Sequence, residues 1–351
     1  MKSESLKNSK VLVTGHTGFK GSWLTQILDI LGAEVFGISL PNEPDTLFEK
    51  FNIPKDDHFH HENINDFESI LGVFKKIEPE IVFHLAAQPL VLHSYSQPIE
   101  TFQTNVIGTA NVLEACRQVA SVRIIVVVTT DKVYKNTDLP GGYTEDSPLG
   151  GSDPYSASKS ASEMVVNAWR ELEWKRQSRP AICTVRAGNV IGGGDYSADR
   201  LLPDLIQAFK LEAPPLIRNP NFIRPWQHVL EPLFGYVKLA EKMSLGGVTA
   251  DSYNFGPNAS ATTTVLEVAK IARDEWPSNL EFAQPKSKAI FSESSALKLN
   301  SESAFKDLGW KCRLTVKEAV KLTLVWEKDI KNSSPLEVTR SQILDYMERL
   351  I

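Results

Sequence analysis

Residues Val11 to Trp23 read VLVTGHTGFKGSW: a short apolar strand, then glycines at Gly15, Gly18 and Gly21, then the start of a helical pattern. In a doubly wound fold, such a turn receives a dinucleotide diphosphate. The glycines permit a tight turn, close approach of backbone to phosphate, and close packing of helix on sheet. The free N–H groups and dipole at the helix start attract the anion. Taken alone, a glycine-rich strand-to-helix turn is equally readable as structural. A second signal lies far downstream, at Tyr155-Ser-Ala-Ser-Lys159, where a tyrosine and a lysine share one face of a helix start. A free phenol, with a pKa of about 10, is a poor base at neutral pH, and a neighbouring ammonium makes its ionised form accessible. The same ammonium can hydrogen-bond a ribose.

The segments between these two motifs alternate. Val11–Thr14, Val35–Ser39 and Ile81–Leu85 read as strands, and Ser22–Leu31 and Phe67–Ile77 as helices. A long helix is expected over Asn105–Val119, followed by Ile124–Val128, five β-branched residues that predict a central strand buried on both faces. Beyond Lys159 the helix runs towards Arg176, and Ile182–Arg186 is a further strand. This rhythm predicts an α/β fold with a Rossmann-type doubly wound parallel sheet. Thr129 to Tyr134 then lie at the carboxyl end of the central strand, where reactive groups of open α/β sheets gather. From Asn189 onward the texture changes. Gly192-Gly-Gly-Asp195 and prolines at Pro214, Pro215, Pro220, Pro225 and Pro232 break the chain into short pieces, which predicts a smaller, mixed α/β lobe. Gln342–Leu350 is expected to end the chain as a helix.

A chain of 351 residues exceeds what one nucleotide-binding sheet needs, so two lobes are expected. The net charge of -5 and the absence of Lys/Arg runs argue against a nucleic-acid groove and leave room for a local cationic pocket. Cys116, Cys183 and Cys312 make no metal spacing and no disulfide framework, which suits a reducing compartment. His58, His60 and His61 lack a convincingly spaced partner, so no metal site is expected. MKSESLKNSK lacks the apolar core of a secretion signal, and no apolar run approaches a bilayer's thickness; a cytoplasmic protein without a membrane partner is expected.

TGHTGFKG, HLAAQ at His84–Gln88, TTDK at Thr129–Lys132 and YSASK together resemble the extended short-chain dehydrogenase/reductase superfamily. Within it, Thr130-Asp131-Lys132 resembles the nucleotide-sugar 4,6-dehydratases, because the related epimerases generally lack the acid and second ionisable group after the threonine. The wording PLGGSDPYSASK, RAGNVIGGGD, DRLLPD and RPWQHVLEP, with Lys132 where the dTDP-glucose enzymes usually carry glutamate, resembles the branch that acts on CDP-D-glucose. The resemblance implies an NAD-dependent internal oxidation, elimination and reduction, and a homodimer or dimer of dimers. It divides the chain into an NAD-binding domain, 1–188, with a return over about 229–250, and a mainly nucleotide-sugar-binding lobe, 189–351.

In residue terms, the resemblance implies that Tyr155 takes the proton of the C4 hydroxyl, Thr130 hydrogen-bonds the same oxygen and Lys159 keeps the phenol acidic. Asp131 and Lys132 are the acid at O6 and the base at C5, in an order that geometry could reverse. Either role needs an unusual protonation state. Cofactor contacts are expected from Gly15, His16, Thr17, Gly18, Phe19, Lys20, Gly21, Asn63, Ile64, Leu85, Ala86, Ala87 and Asn105, besides Tyr155 and Lys159. The second strand ends without the usual ribose-binding acid, and His16 and Lys20 bring polar bulk into the turn, so loosely held NAD is expected. For the nucleotide sugar the candidates are Gln88, Thr130, Asn189, Arg200, Arg224 and Asn254, two arginines suiting diphosphate contacts. Competing readings are a dehydratase or epimerase of GDP-mannose or dTDP-glucose, and a non-catalytic dinucleotide sensor.

Overall fold

Ile124–Val128 is buried along its whole length and forms the middle of a sheet that organises the molecule. The computed structural model describes residues 5–41, 46–53, 57–137, 139, 141–172, 180–248, 250–257, 263–276, 278–283 and 296–350. Its strands are β1 (Lys10–Thr14), β2 (Glu34–Ser39), β3 (Phe59–His61), β4 (Ile81–His84), β5 (Ile124–Val128), β6 (Ala181–Ala187), β7 (Val190–Ile191), β8 (Ile223–Arg224), β9 (Gln227–His228), β10 (Ser252–Phe255) and β11 (Thr263–Thr264). Seven of them make one parallel sheet in the order β10-β6-β5-β4-β1-β2-β3. The order reverses between β1 and β4, so the strand ends there open onto a crevice.

Helices cover both faces. On one side α3 (Phe67–Ile77) and α6 (Gly108–Gln118) pack on β1, β4 and β5 with the later α7 (Pro154–Glu171). On the other lie α1 (Phe19–Ile30), the short α2 (Leu47–Lys50) and α9 (Leu230–Ser244). Two short helices, α4 (Val91–Ser96) and α5 (Pro98–Phe102), lead into the crevice side. Asp153 caps α7 by accepting from the Ser156 amide at 2.9 Å, and Pro154 occupies its first turn, so the helix starts one residue before Tyr155. The expected extension to Arg176 lies outside the described residues.

The structure departs from the sequence reading in two places. The helix expected over Asn105–Val119 is interrupted by a π-helical turn at Gln103–Ile107 before α6 begins. That turn leaves the Asn105 carbonyl to accept the hydroxyls of Thr109 and Ser162, both at 2.6 Å, and such turns recur at functional sites. The return to the first layer is also longer than 229–250. β10 joins the main sheet beside β6, and α11 (Glu302–Leu308) and α13 (Pro335–Glu348) pack with Trp310 and Tyr346 against the same core as α1 and α9. The remaining segments, α8 (Leu201–Lys210), α10 (Val265–Glu275) and one face of α12 (Val316–Asp329), share a separate apolar core with Trp226 and Ile217. β7 pairs with β9 and β8 with β11 beside it.

Candidate active site

The glycine turn is fixed by contact. Gly15 has φ +76°, and a Cβ there would stand 2.7 Å from the Ala86 nitrogen; at Gly21 it would stand 2.0 Å from the Gly15 carbonyl oxygen. Neither position admits a side chain, so β1 and α1 meet closely. Gly18 is exposed there, with its Cβ direction free of all but the Gly15 oxygen at 3.4 Å. This cradle fits a diphosphate. The Thr17 amide donates to Ser39 Oγ at 3.2 Å, tying the turn to the end of β2.

A cleft of about 1240 Å³ runs from this turn across the strand ends. That exceeds the roughly 300–1,000 Å³ of a single small-molecule pocket and suits two ligands side by side. Thr17 to Gly21, Asn63, Ile64 and Leu85–Ala87 line it on the β1–β3 side, and Thr130–Lys132, Tyr155 and Lys159 beyond β5. Asn189, Arg200, Arg224 and Trp226 line it where the second lobe meets the sheet.

Asp131 opens a short 3-10 turn immediately past β5. Thr130 Oγ1 donates to Asp131 Oδ1 at 3.0 Å, whereas Asp131 Oδ2 is buried and accepts no hydrogen bond. Burial pushes this carboxyl above the ordinary range, against the opposing charges of Lys132, Arg224 and Lys20. The group is suited to carry a proton. Tyr155 is buried; burial raises its phenol to about 12, with the Thr130 side chain lowering it and the Asp131 charge raising it. Lys159, also buried, donates from Nζ to the Val128 carbonyl at 3.2 Å, and burial draws it down to about 8 against the pull of Glu163. Burial is the largest influence on the phenol.

On the second-lobe side, Arg200 pairs with Asp195 at 2.8 Å. Arg224 is buried on β8, stacks over Phe222 at 5.0 Å and donates to the Ile223 carbonyl at 2.9 Å. Lys20 lines the cleft, partly buried, and is drawn down to about 8 by burial and the Arg200 charge. Four expected contacts are turned elsewhere. Gln88 spends its side chain on Thr101 Oγ1 at 2.8 Å and on the backbone of Leu90. Asn105 bridges both backbone groups of Gln88 and Ser158 Oγ. Asn254 accepts from Tyr134 and donates to the carbonyls of Tyr143 and Asn300. The His16 ring points away from the cleft, packed between Phe48 and Phe59 and held near pKa 3 by burial. These are positions where an amide or imidazole closes local structure. The sequence reading did not single out Trp226, whose buried indole nitrogen lines the cleft without a hydrogen-bond partner, although its motif RPWQHV was in view. Among the described residues no His, Cys, Asp and Glu cluster is placed to hold a metal.

With the geometry established, comparison with known sequences becomes informative. The sequence pattern of the GDP-mannose 4,6-dehydratase family matches residues 12–323. The chain belongs to that family. The CDP-glucose 4,6-dehydratase of Salmonella typhimurium is 40% identical over 349 residues, covering 97% of each chain. The dTDP-glucose 4,6-dehydratase of Haemophilus influenzae is 27% identical, covering 90% of this chain and 97% of that one. Among solved structures, the UDP-glucose 4-epimerase of Thermotoga maritima superposes with a TM-score of 0.80 at 22% identity over 92% of this chain and all of that one. The NAD complex of the Bacillus anthracis dTDP-glucose 4,6-dehydratase superposes at 0.76, with 22% identity, over 93% of this chain and 99% of that one. The family's Rossmann-type architecture is thus the fold of this chain.

Proposed function

We propose that the protein is an NAD-dependent hydro-lyase that converts CDP-D-glucose to CDP-4-keto-6-deoxy-D-glucose and water. One observation carries the reading: a buried Asp131, its carboxyl pushed above the ordinary range by burial, stands beside the Thr130 and Tyr155 pair. An enzyme that only oxidised and re-reduced C4 has no need of that extra acid. The near-full-length likeness to a CDP-glucose 4,6-dehydratase supports the choice of base and sugar.

When bound in the glycine cradle, NAD supplies the hydride acceptor for C4 and gives the hydride back at C6. Tyr155 takes the proton of the C4 hydroxyl, steadied by Thr130. The resulting ketone acidifies C5–H. Lys132 removes that proton as Asp131 protonates the departing O6 hydroxyl, which leaves as water while the C5–H electron pair forms a C5–C6 double bond. The proton returned from Lys132 to C5 completes this chain's own share of the product. The proton left on Tyr155 returns to Asp131 by way of the Thr130 hydroxyl, which donates to Asp131. Arg200, Arg224 and Asn189 hold the diphosphate and nucleoside. Residues 15–187 with α9 and β10 serve the cofactor, and the α8, α10 and α12 lobe serves the nucleotide sugar.

Ile99, Phe102, Ile107 and Met164 are exposed on neighbouring turns of α5, the π-helical turn and α7, an apolar face suited to pairing two copies. This face supports a homodimer or a dimer of dimers. Three cysteines outside any disulfide suit the cytoplasm. The deciding experiment incubates the protein with CDP-, dTDP- and GDP-hexoses, with and without added NAD, and follows the 4-keto product by alkaline absorbance and the loss of water by mass. Turnover of CDP-glucose is expected; dehydration of another nucleotide sugar alone overturns the base assignment, and none at all overturns the reaction.

A further inference from the structure

Tyr155, Lys159 and Glu163 follow one another at every fourth residue of α7, so the stripe that begins in the cleft continues inward to a buried carboxylate. Glu163 has only 2% of its surface exposed and is the hub of a closed network. Oε1 accepts from Thr129 Oγ1 at 2.6 Å and from Arg186 Nε at 2.9 Å. Oε2 accepts from Thr184 Oγ1 at 2.7 Å and from Arg186 Nη2 at 3.1 Å. Arg186 in turn donates to the Tyr134 hydroxyl at 2.8 Å and to the Glu145 carbonyl at 3.0 Å. The network therefore grips both ends of the segment that bears Thr130, Asp131 and Lys132, at Thr129 and at Tyr134.

We propose that Glu163 is a positioning residue of the catalytic centre: one turn beyond Lys159 on α7, its carboxylate anchors Thr129 directly and Tyr134 through Arg186, so that Thr130, Asp131 and Lys159 are held against Tyr155. The charges that face Lys159 support this. Lys20 approaches from α1 and is itself lowered by the Lys159 charge; His84, on β4, is held neutral near pKa 3 by burial and the same ammonium. Tyr155 stands one turn before it. Glu163 alone raises Lys159, against burial, to the value of about 8. Without that carboxylate, the burial of the Lys159 ammonium would go unopposed by Glu163, at the expense of the cation available to a phenolate and a ribose. Arg186 balances the buried charge of Glu163, which would otherwise be costly.

The inference rests on the dehydratase reading, and its test separates the two. The pH dependence of kcat for CDP-glucose and of NAD affinity by calorimetry are measured for the wild type, Glu163→Asp, Glu163→Gln and the double variant Glu163→Gln/Arg186→Met, which leaves no unpaired buried cation. For the wild type, both quantities should decline above about pH 8. In Glu163→Gln and the double variant, the decline should begin at least about one unit lower, a tenfold loss of kcat at pH 8, with KM for CDP-glucose little changed. Glu163→Asp keeps the charge and should keep the wild-type midpoint even where its melting temperature falls. Unmoved midpoints in the foldable charge-removing variants, or a wild-type decline only near the free lysine range, would overturn the proposal. Absence of wild-type turnover overturns the dehydratase reading instead, and the NAD-affinity profiles still decide the role of Glu163.

Discussion

The Thr130 hydroxyl donates to Oδ1 of Asp131 at 3.0 Å while Oδ2 of the same carboxyl, sealed from solvent, accepts nothing. Burying an ionised carboxylate oxygen without a donor is costly, so this setting favours the protonated carboxyl. A proton held there is free to be given away. Asp131→Asn keeps the shape and removes the transferable proton. Dehydration should slow by about 10²–10⁴-fold, while exchange of the C5 hydrogen with deuterated solvent persists. Because burial raises this carboxyl, activity of the wild type should fall as pH climbs through its elevated pKa, and the residual activity of Asp131→Asn should lack that descent. Mass spectrometry of the recovered hexose reads both. Equal loss of exchange and dehydration would place Asp131 before the elimination.

Tyr155→Phe should abolish both reactions together, since no 4-ketone forms to acidify C5. The substitution removes one oxygen from a buried site whose ring packing is unchanged, so nucleotide-sugar affinity should stay within a few fold. Solvent exchange at C5 surviving in this variant would reassign the C4 base.

Arg224 is buried on β8 and stacked on Phe222. A planar guanidinium contacts phosphate through two donors, which a lysine does not reproduce. Arg224→Lys and Arg224→Met should both raise KM for CDP-glucose, and the inhibition constant of CDP, by roughly 10- to 100-fold, the equivalent of one charge-assisted hydrogen bond of about 1.5–3 kcal/mol. A kcat loss with KM unchanged would instead put Arg224 at the reacting sugar.

Gln88 provides the opposite case. Its amide closes the loop before α4 through Thr101 and Leu90, so Gln88→Ala should lower the melting temperature by an amount equal to roughly 1–3 kcal/mol and leave KM alone. A raised KM at unchanged stability would restore it as a hexose contact.

What could be read in the chain beforehand was whatever is local. The strand, three glycines and helix of residues 11–23 carry their own geometry, and five β-branched residues at 124–128 make a buried strand wherever they fall. Thr130, Asp131, Lys132, Tyr155 and Lys159 were legible because their chemistry is unusual at such spacing. Gln88, Asn105 and Asn254 were not, because a buried amide offers the same donors and acceptors to a loop as to a ligand. β10 escaped because SYNF has little strand character until β6 lies beside it. Glu163 was visible as the next step of the fourfold spacing, but its meaning depended on Arg186, which arrives from another strand.

The imidazole of His16 occupies the space that a side chain at residue 37 would need: a Cβ at Gly37 would lie 2.4 Å from its Cγ and Nδ1. Positions 16 and 37 therefore behave as a single variable shared between the first two strands. A methyl group added at 37 alone would evict the ring towards the backbone amides it now braces from behind, degrading the anion cradle from a site the cofactor never touches. Trimming residue 16 to glycine at the same time would remove that clash and leave the Phe59 ring, 2.8 Å from the same Cβ, to give way. Across descendants of this chain, drift at either position should be tolerated only when the other compensates.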